Sequence, residues 1–298
     1  MTERQGQRDW RASLLVWGMR AAARLPWRFL AAGGAALGEV AYWLAPRARR
    51  VGHINLRLCF PELTPLARRR LLRAHFRALG GSSFTLPLAW WGAPERLKRL
   101  VRVRDRAQYD AFTAAGRAVI LLAPHFVALD IGGMRLSLER PIVSMYRAPK
   151  WQPLARAFAQ RERANAVLFE RDGPLKRLIT LIRKGRPFYY LPDQDPGGAP
   201  HVFAPFFNVP TATLTALARM AQMTGAAVIP CATALTQAGA EVRLWPALAG
   251  FPSGDAAADA AHMNRAIETM VRAYPAQYLW IYKRFKTRPG GARAPYDL

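Results

Sequence analysis

The stretch Val119-Ile-Leu-Leu-Ala-Pro-His125-Phe-Val-Ala-Leu-Asp130-Ile-Gly-Gly133 decides how the rest of the chain is read. Residues 119–123 are apolar and rich in branched side chains, which suits a short buried strand. Pro124 ends it. His125 then falls on a turn, and Asp130 in the first turns of a following helix. Within one ideal helix five residues advance about 500°, so the two side chains would lie roughly 140° apart. They can meet only if His125 sits on the turn before the helix and its ring folds back. That arrangement would let a carboxylate accept from one ring nitrogen and leave the other as a base. The spacing alone is weak, because a histidine on an apolar turn is more often a hydrogen-bonded structural residue. None of His53, His75, His201 and His262 has an acid five residues further on.

The chain has 298 residues, enough for one large domain or two ordinary ones, and its 51% hydrophobic content excludes a disordered chain. Lys and Arg number 44 against 19 acids, a net charge of +25. Such a balance calls for acidic partners: nucleic acid, anionic lipid, phosphorylated glycolipid or an acidic protein. Cys59 and Cys231 are the only cysteines. They offer neither a disulfide framework nor metal spacing, which fits a reducing compartment. There is no Walker loop and no GxGxxG, and neither a metal nor a cofactor is expected.

Residues 14–45 are apolar but interrupted by Arg20, Arg24, Arg28 and Glu39. The cleanest piece, residues 29–45, is at the lower limit for a membrane span. Trp10, Trp17, Trp27, Tyr42 and Trp43, set among Arg20, Arg24, Arg28, Arg47, Arg49 and Arg50, suggest an interfacial anchor, with Arg47, Arg49 and Arg50 marking the cytoplasmic side. The plainer alternative is a pair of helices packed on the domain. Residues 1–50 are therefore expected to form an N-terminal helical membrane-associating region. Residues 53–100 read as helical, with Thr64 as N-cap before Pro65 and Gly80-Gly81 ending that helix. Beyond the His125 stretch, strands are expected at 141–146, 166–169, 187–191, 226–234 and 241–245. Helices are expected at 151–164, 175–184, 213–223 and 260–273, with Gly225 as a C-cap. This alternation predicts an α/β fold with a mostly parallel central sheet flanked by helices.

The chain resembles the bacterial lipid A late acyltransferases, the lauroyl/myristoyl transferases, within the wider glycerolipid and lysophospholipid acyltransferase group. The landmarks are APHFVALD (123–130), SMYRAPK (144–150), FERDGPLKRLITLIRKG (169–185), LPDQDPGG (191–198), VFAPFFNVPTAT (202–213), TGAAVIP (224–230) and YLWIYKRFKTRP (278–289). The family more often closes the His motif with Asn-Trp-Glu, whereas here it is Ala128-Leu129-Asp130. The resemblance implies a glycerolipid-acyltransferase-like domain over residues 51–298. It implies acyl transfer from an acyl carrier protein thioester, or acyl-CoA, to a hydroxyl of a lipid A precursor of the Kdo-lipid IV-A type. It also implies a place at the cytoplasmic face of the inner membrane.

In that setting His125 would deprotonate the attacking hydroxyl and Asp130 would orient the imidazole. No serine or cysteine nucleophile is evident beside His125, so direct attack without an acyl-enzyme is expected. Arg171 is the first candidate for stabilising the oxyanion and Arg147 the second. Arg147 could instead hold phosphate, and with Lys150 it joins the expected substrate-binding residues. Asp193, Gln194 and Asp195 follow a strand at its C-terminal end, where α/β sheets place ligand groups. They could bind metal, hold an acceptor sugar or pair with Arg171, and pairing and positioning is preferred. Phe206, Phe207 and Thr211 read as an acyl-groove wall or as plain core. Lys176, Arg177, Arg183, Lys184, Lys283, Arg284, Lys286 and Arg288 could meet the carrier protein or lipid phosphates. Rival readings are an enzyme acylating a lysophospholipid or other phosphoglycolipid, a nucleic-acid-binding protein, and an inactive membrane scaffold. The nucleic-acid reading is disfavoured because the basic residues are mixed with an apolar anchor and no nucleic-acid module is recognisable.

Overall fold

The computed structural model describes residues 10–146, 165–170 and 173–297. The expected helix at 151–164 lies outside them. The chain opens with α1 (Trp10–Ala22), α2 (Trp27–Leu44), α3 (Pro46–Cys59) and α4 (Pro65–Trp91). Proline opens both α3 and α4, where its missing N–H would be unpaired in any case. Thr64 caps α4, its hydroxyl accepting from Ala67 N at 3.2 Å. The expected domain division at residue 50 falls inside α3.

Gly80-Gly81 does not end α4, contrary to the sequence expectation; the helix runs on through Pro87 to Trp91. The two glycines serve a helix crossing instead. A Cβ on Gly80 would lie 2.8 Å from Gly38 Cα, and one on Gly34 would lie 2.8 Å from Gly81 Cα. The backbones of α2 and α4 are therefore in direct contact, which only glycine allows.

This crossing sorts the faces of α2. Leu30, Gly34, Gly38 and Tyr42 are buried. Phe29, Leu37, Val40, Trp43 and Leu44 are exposed, Phe29 at 72% and Leu44 at 77%. Trp27 and Tyr42, expected at a membrane interface, are buried core residues. Tyr42 packs edge-on against Phe76 of α4 with ring centroids 5.5 Å apart. Among the described residues no helix is long and apolar enough to cross a membrane.

After α5 (Pro94–Leu100) the chain enters an α/β unit. Its elements are β1 (Val101–Arg104), α6 (Ala107–Ala114), β2 (Val119–Leu122), α7 (Leu129–Ser137), β3 (Ile142–Tyr146), β4 (Ala166–Glu170), α8 (Leu175–Arg183) and β5 (Phe188–Tyr190). A hairpin follows, then α9 (Ala216–Thr224), β8 (Ala227–Thr236), β9 (Gly239–Leu244) and α10 (Ala256–Ala273). Among the described residues the central sheet has the order β1-β9-β8-β2-β5-β3-β4. It is parallel except where β9 turns back against β8. Helices flank a core that includes Ile120, Leu122, Phe188 and Val228 on one side and Val119, Leu121, Tyr189 and Ile229 on the other. A strand buried on both faces reads as a continuous apolar run, as Val119-Ile-Leu-Leu does.

The hairpin comprises β6 (His201–Phe206) and β7 (Val209–Leu214). Phe207 and Asn208 form its two-residue loop, both at positive φ (48° and 61°), as a primed hairpin turn requires. The helix expected at 213–223 accordingly starts only at Ala216, because β-branched Val209, Thr211 and Thr213 suit a strand. Its end is as read: Gly225 adopts the left-handed conformation, φ 66°.

Candidate active site

His125 lies just past β2, and Asp193 just past β5. These strands are parallel neighbours with Leu122 opposite Tyr190. Each functional residue is three positions beyond its register partner, so the two side chains emerge side by side at the C-terminal edge of the sheet. His125 Nδ1 is 2.6 Å from Asp193 Oδ1, and the His125 backbone N–H donates to Asp193 Oδ2 at 2.8 Å. One carboxylate thus holds both the ring and the peptide of the histidine.

The His125 side chain is 20% exposed and that of Asp193 only 2%, so the dyad meets solvent through the imidazole. Burial alone would push the imidazole down. The charge of Asp193 and its hydrogen bond outweigh that and hold His125 above its ordinary value of 6.5. Burial likewise opposes charge on Asp193. The His125 charge, the ring and backbone donors, and the nearby Arg284 charge together hold the carboxyl below its usual 3.8. Neutral His125 therefore carries its proton on Nδ1, toward the carboxylate. Nε2 is left with a lone pair, as a general base needs.

The turn is laced to the segment that follows α10. Val127 N donates to Gln277 O at 2.8 Å, Leu279 N donates to His125 O at 3.0 Å, and the Ser82 hydroxyl donates to Val127 O. A small cavity of about 10 Å³, on the scale of one water, is lined by His125, Asp193, Phe206, Tyr278, Arg284 and Asn55 among others. Asn55 spans the gap from α3, its Nδ2 donating to Trp280 O at 2.6 Å and Tyr282 O at 2.7 Å. Burial, and then the Asp193 charge, push the Tyr278 phenol well above its ordinary value, so it remains neutral.

Asp130 occupies the first turn of α7, as read from the sequence. The sequence expects Asp130 to orient the imidazole; the carboxylate on Nδ1 is that of Asp193. Asp193 has His125 as its partner among the described residues. Gln194 lines the cavity, and its carbonyl accepts from Arg284 at 3.3 Å. Asp195 holds the C-terminal segment by accepting from Thr287 N at 2.7 Å and Thr287 Oγ1 at 2.9 Å. Phe206 and Phe207 are core residues, although Phe206 also borders the cavity. Thr211 is fully buried with its hydroxyl donating to Val209 O at 2.8 Å. Arg147, Lys150 and Arg171 lie outside the described residues. Among the described residues no group of acids, histidines and cysteines could hold a metal ion.

Sequence reasoning misjudged Arg284. It groups with Lys283 and Lys286 as surface charge, yet it is 3% exposed. It donates to Ala212 O at 2.9 Å, while its Nε and Nη2 find no hydrogen-bond partner among the described residues. The available signal is its setting between Trp280 and Phe285, both fully buried aromatics.

The model of the bacterial lipid A biosynthesis acyltransferase family matches residues 2–287. The chain is 31% identical over 278 residues to the lipid A biosynthesis lauroyltransferase of Escherichia coli (strain K12), covering 92% of this chain and 90% of that one. It is 30% identical over 278 residues to the palmitoleoyltransferase of the same organism, with the same coverage. It is 29% identical over 304 residues to the myristoyltransferase, covering 97% of this chain and 91% of that one. The family model over residues 2–287, with relatives that cover nine tenths or more of both chains, places the protein in the bacterial lipid A biosynthesis acyltransferase family.

Proposed function

We propose that the protein moves a fatty acyl chain from an acyl carrier protein thioester to a hydroxyl of a lipid A precursor of the Kdo-lipid IV-A type, working at the cytoplasmic face of the inner membrane. The observation that carries this reading is the His125–Asp193 contact, with Nδ1 2.6 Å from Oδ1. His125 Nε2 takes the proton of the acceptor hydroxyl as its oxygen attacks the thioester carbonyl carbon. The new C–O bond gives a tetrahedral oxyanion. Arg171 is assigned to stabilise it, with Arg147 as second candidate, on sequence grounds. Collapse breaks the C–S bond, and the leaving thiolate takes the proton from the imidazolium. Asp193 holds the ring in the working tautomer and stabilises its charged form.

Direct transfer is favoured over an acyl-cysteine intermediate. Cys59 and Cys231 are buried, and burial pushes the Cys231 thiol up to about 12 and that of Cys59 higher still. The exposed apolar row on α2, flanked by arginines, supports an interfacial position. Arg147 and Lys150 are assigned to acceptor phosphate.

The test is acyl transfer with defined donors and acceptors, together with mass spectrometry of lipid A from cells with and without the gene. His125→Ala should lower transfer by about 10²-fold or more without loss of fold. Transfer to lysophosphatidate but not to lipid A precursor would overturn the acceptor. Undiminished transfer by His125→Ala would overturn the mechanism, and a preference for acyl-CoA would overturn the donor.

A further inference from the structure

Helix α3 serves two sites. Asn55 faces the His125 cavity, whereas Arg49, Arg50, His53 and Arg57 line a separate groove of about 710 Å³. Arg68 and Arg69, near the start of α4, line it too. Among the described residues, none of the five guanidiniums is in an ion pair with a carboxylate. Converging cations without a counter-charge repel one another unless an anion joins them.

Two of the arginines are already held in place. Arg49 donates to Tyr42 O at 2.9 Å and sits over the Tyr42 and Trp43 rings, 5.3 and 5.9 Å from their centroids. Arg68 donates to Phe60 O at 3.1 Å. Burial, then the charges of Arg49, Arg69 and Arg68, keep His53 below its ordinary value, leaving a neutral ring that can donate. The N-terminal end of α4, with its partial positive charge, opens at the same groove. Guanidinium forks match phosphate oxygens.

The rim shows which phosphate fits. Trp43, 55% exposed, lines the groove, and Leu44, 77% exposed, follows it at the end of the apolar row on α2. An anion held there would have greasy surface on one side and water on the other, as at the headgroup level of a bilayer. We infer that this groove binds the phosphate of an anionic phospholipid headgroup and so sets the depth and orientation of the protein on the membrane. The inference rests on the interfacial position proposed above but not on the identity of the acyl acceptor.

Vesicle flotation of the full chain tests it without turnover. The probes are phosphatidylcholine vesicles and the same vesicles with about a fifth phosphatidylglycerol. Arg50→Gln/Arg57→Gln/Arg69→Gln removes three exposed charges and none of the carbonyl contacts above. Partition of this triple variant onto the anionic vesicles should fall on the order of 10²-fold. A control of equal charge loss on the remote exposed residues, Arg99→Gln/Arg102→Gln/Arg117→Gln, should fall less than about fivefold. An equal fall in both variants would overturn the site in favour of net charge. Full binding by the groove variant would also overturn it. So would loss of acyl carrier protein binding with vesicle binding retained, which would make the occupant an acidic protein. If wild type floats with neither vesicle, the interfacial position fails and the groove inference falls with it.

Discussion

His125 and Asp193 are 68 residues apart in sequence, yet Nδ1 and Oδ1 are 2.6 Å apart. The carboxylate raises the imidazole above 6.5, so the neutral form becomes the major one only at a pH above that value. Activity should therefore fall as pH drops through a limb lying above 6.5. Asp193→Asn should cost about 10²- to 10⁴-fold in kcat and move the acid limb to lower pH. Asp130→Asn should leave the position of that limb unchanged. A pH–rate profile of the three proteins decides between the two carboxylates; a limb that moves with Asp130 and not with Asp193 would reverse the assignment.

The same pair links to stability with the opposite sense. His125, whose folded pKa is raised, contributes stability that is full below 6.5 and lost as pH rises through its folded value. Asp193, whose folded pKa is depressed, contributes stability present above 3.8 and lost as pH falls through its folded value. The dyad should thus stabilise most between those ordinary values and act fastest above the upper one. Urea midpoints of wild type and His125→Gln, measured from pH 4 to 9, should converge at the alkaline end.

His75 gives acid sensitivity of its own. It is fully buried, and burial pushes it down to about 4 despite the Ala276 carbonyl at 3.1 Å. The unfolded chain binds the proton first, so stability should be lost as pH falls from 6.5 toward 4, by up to about 3 kcal/mol. His75→Leu should flatten that slope while costing about 1 kcal/mol at neutral pH for the lost hydrogen bond. Denaturant titrations of both proteins at several pH values check it.

The α2–α4 crossing separates two adjacent glycines. Gly34→Ala would drive a methyl into the α4 backbone and should destabilise by about 1–3 kcal/mol. Gly33→Ala meets nothing within 4 Å and should be neutral or stabilising by up to about 1 kcal/mol through helix propensity. Thermal melts of the two variants should move in opposite directions.

Several elements were legible because their causes are local. The apolar run at β2, the Thr64-Pro65 start of α4 and the Gly225 end of α9 each depend on a few neighbouring residues. Gly80 and Gly81 were misread because a cap and a close crossing place the same demand on a residue, the absence of a Cβ, and only the position of α2 distinguishes them. The hairpin at 201–214 was missed because its turn uses Phe207 and Asn208 in place of the usual glycine.

By itself the sequence determined the α/β class and the strand–His–helix unit, since these follow from side-chain periodicity and turn chemistry along short stretches of the chain. Only the tertiary structure decided which acid meets His125 Nδ1. Asp130 is close in sequence, in the first turn of α7, whereas Asp193 arrives because β5 lies beside β2 with Leu122 opposite Tyr190. Strand order is a property of the whole sheet, and no local window contains it.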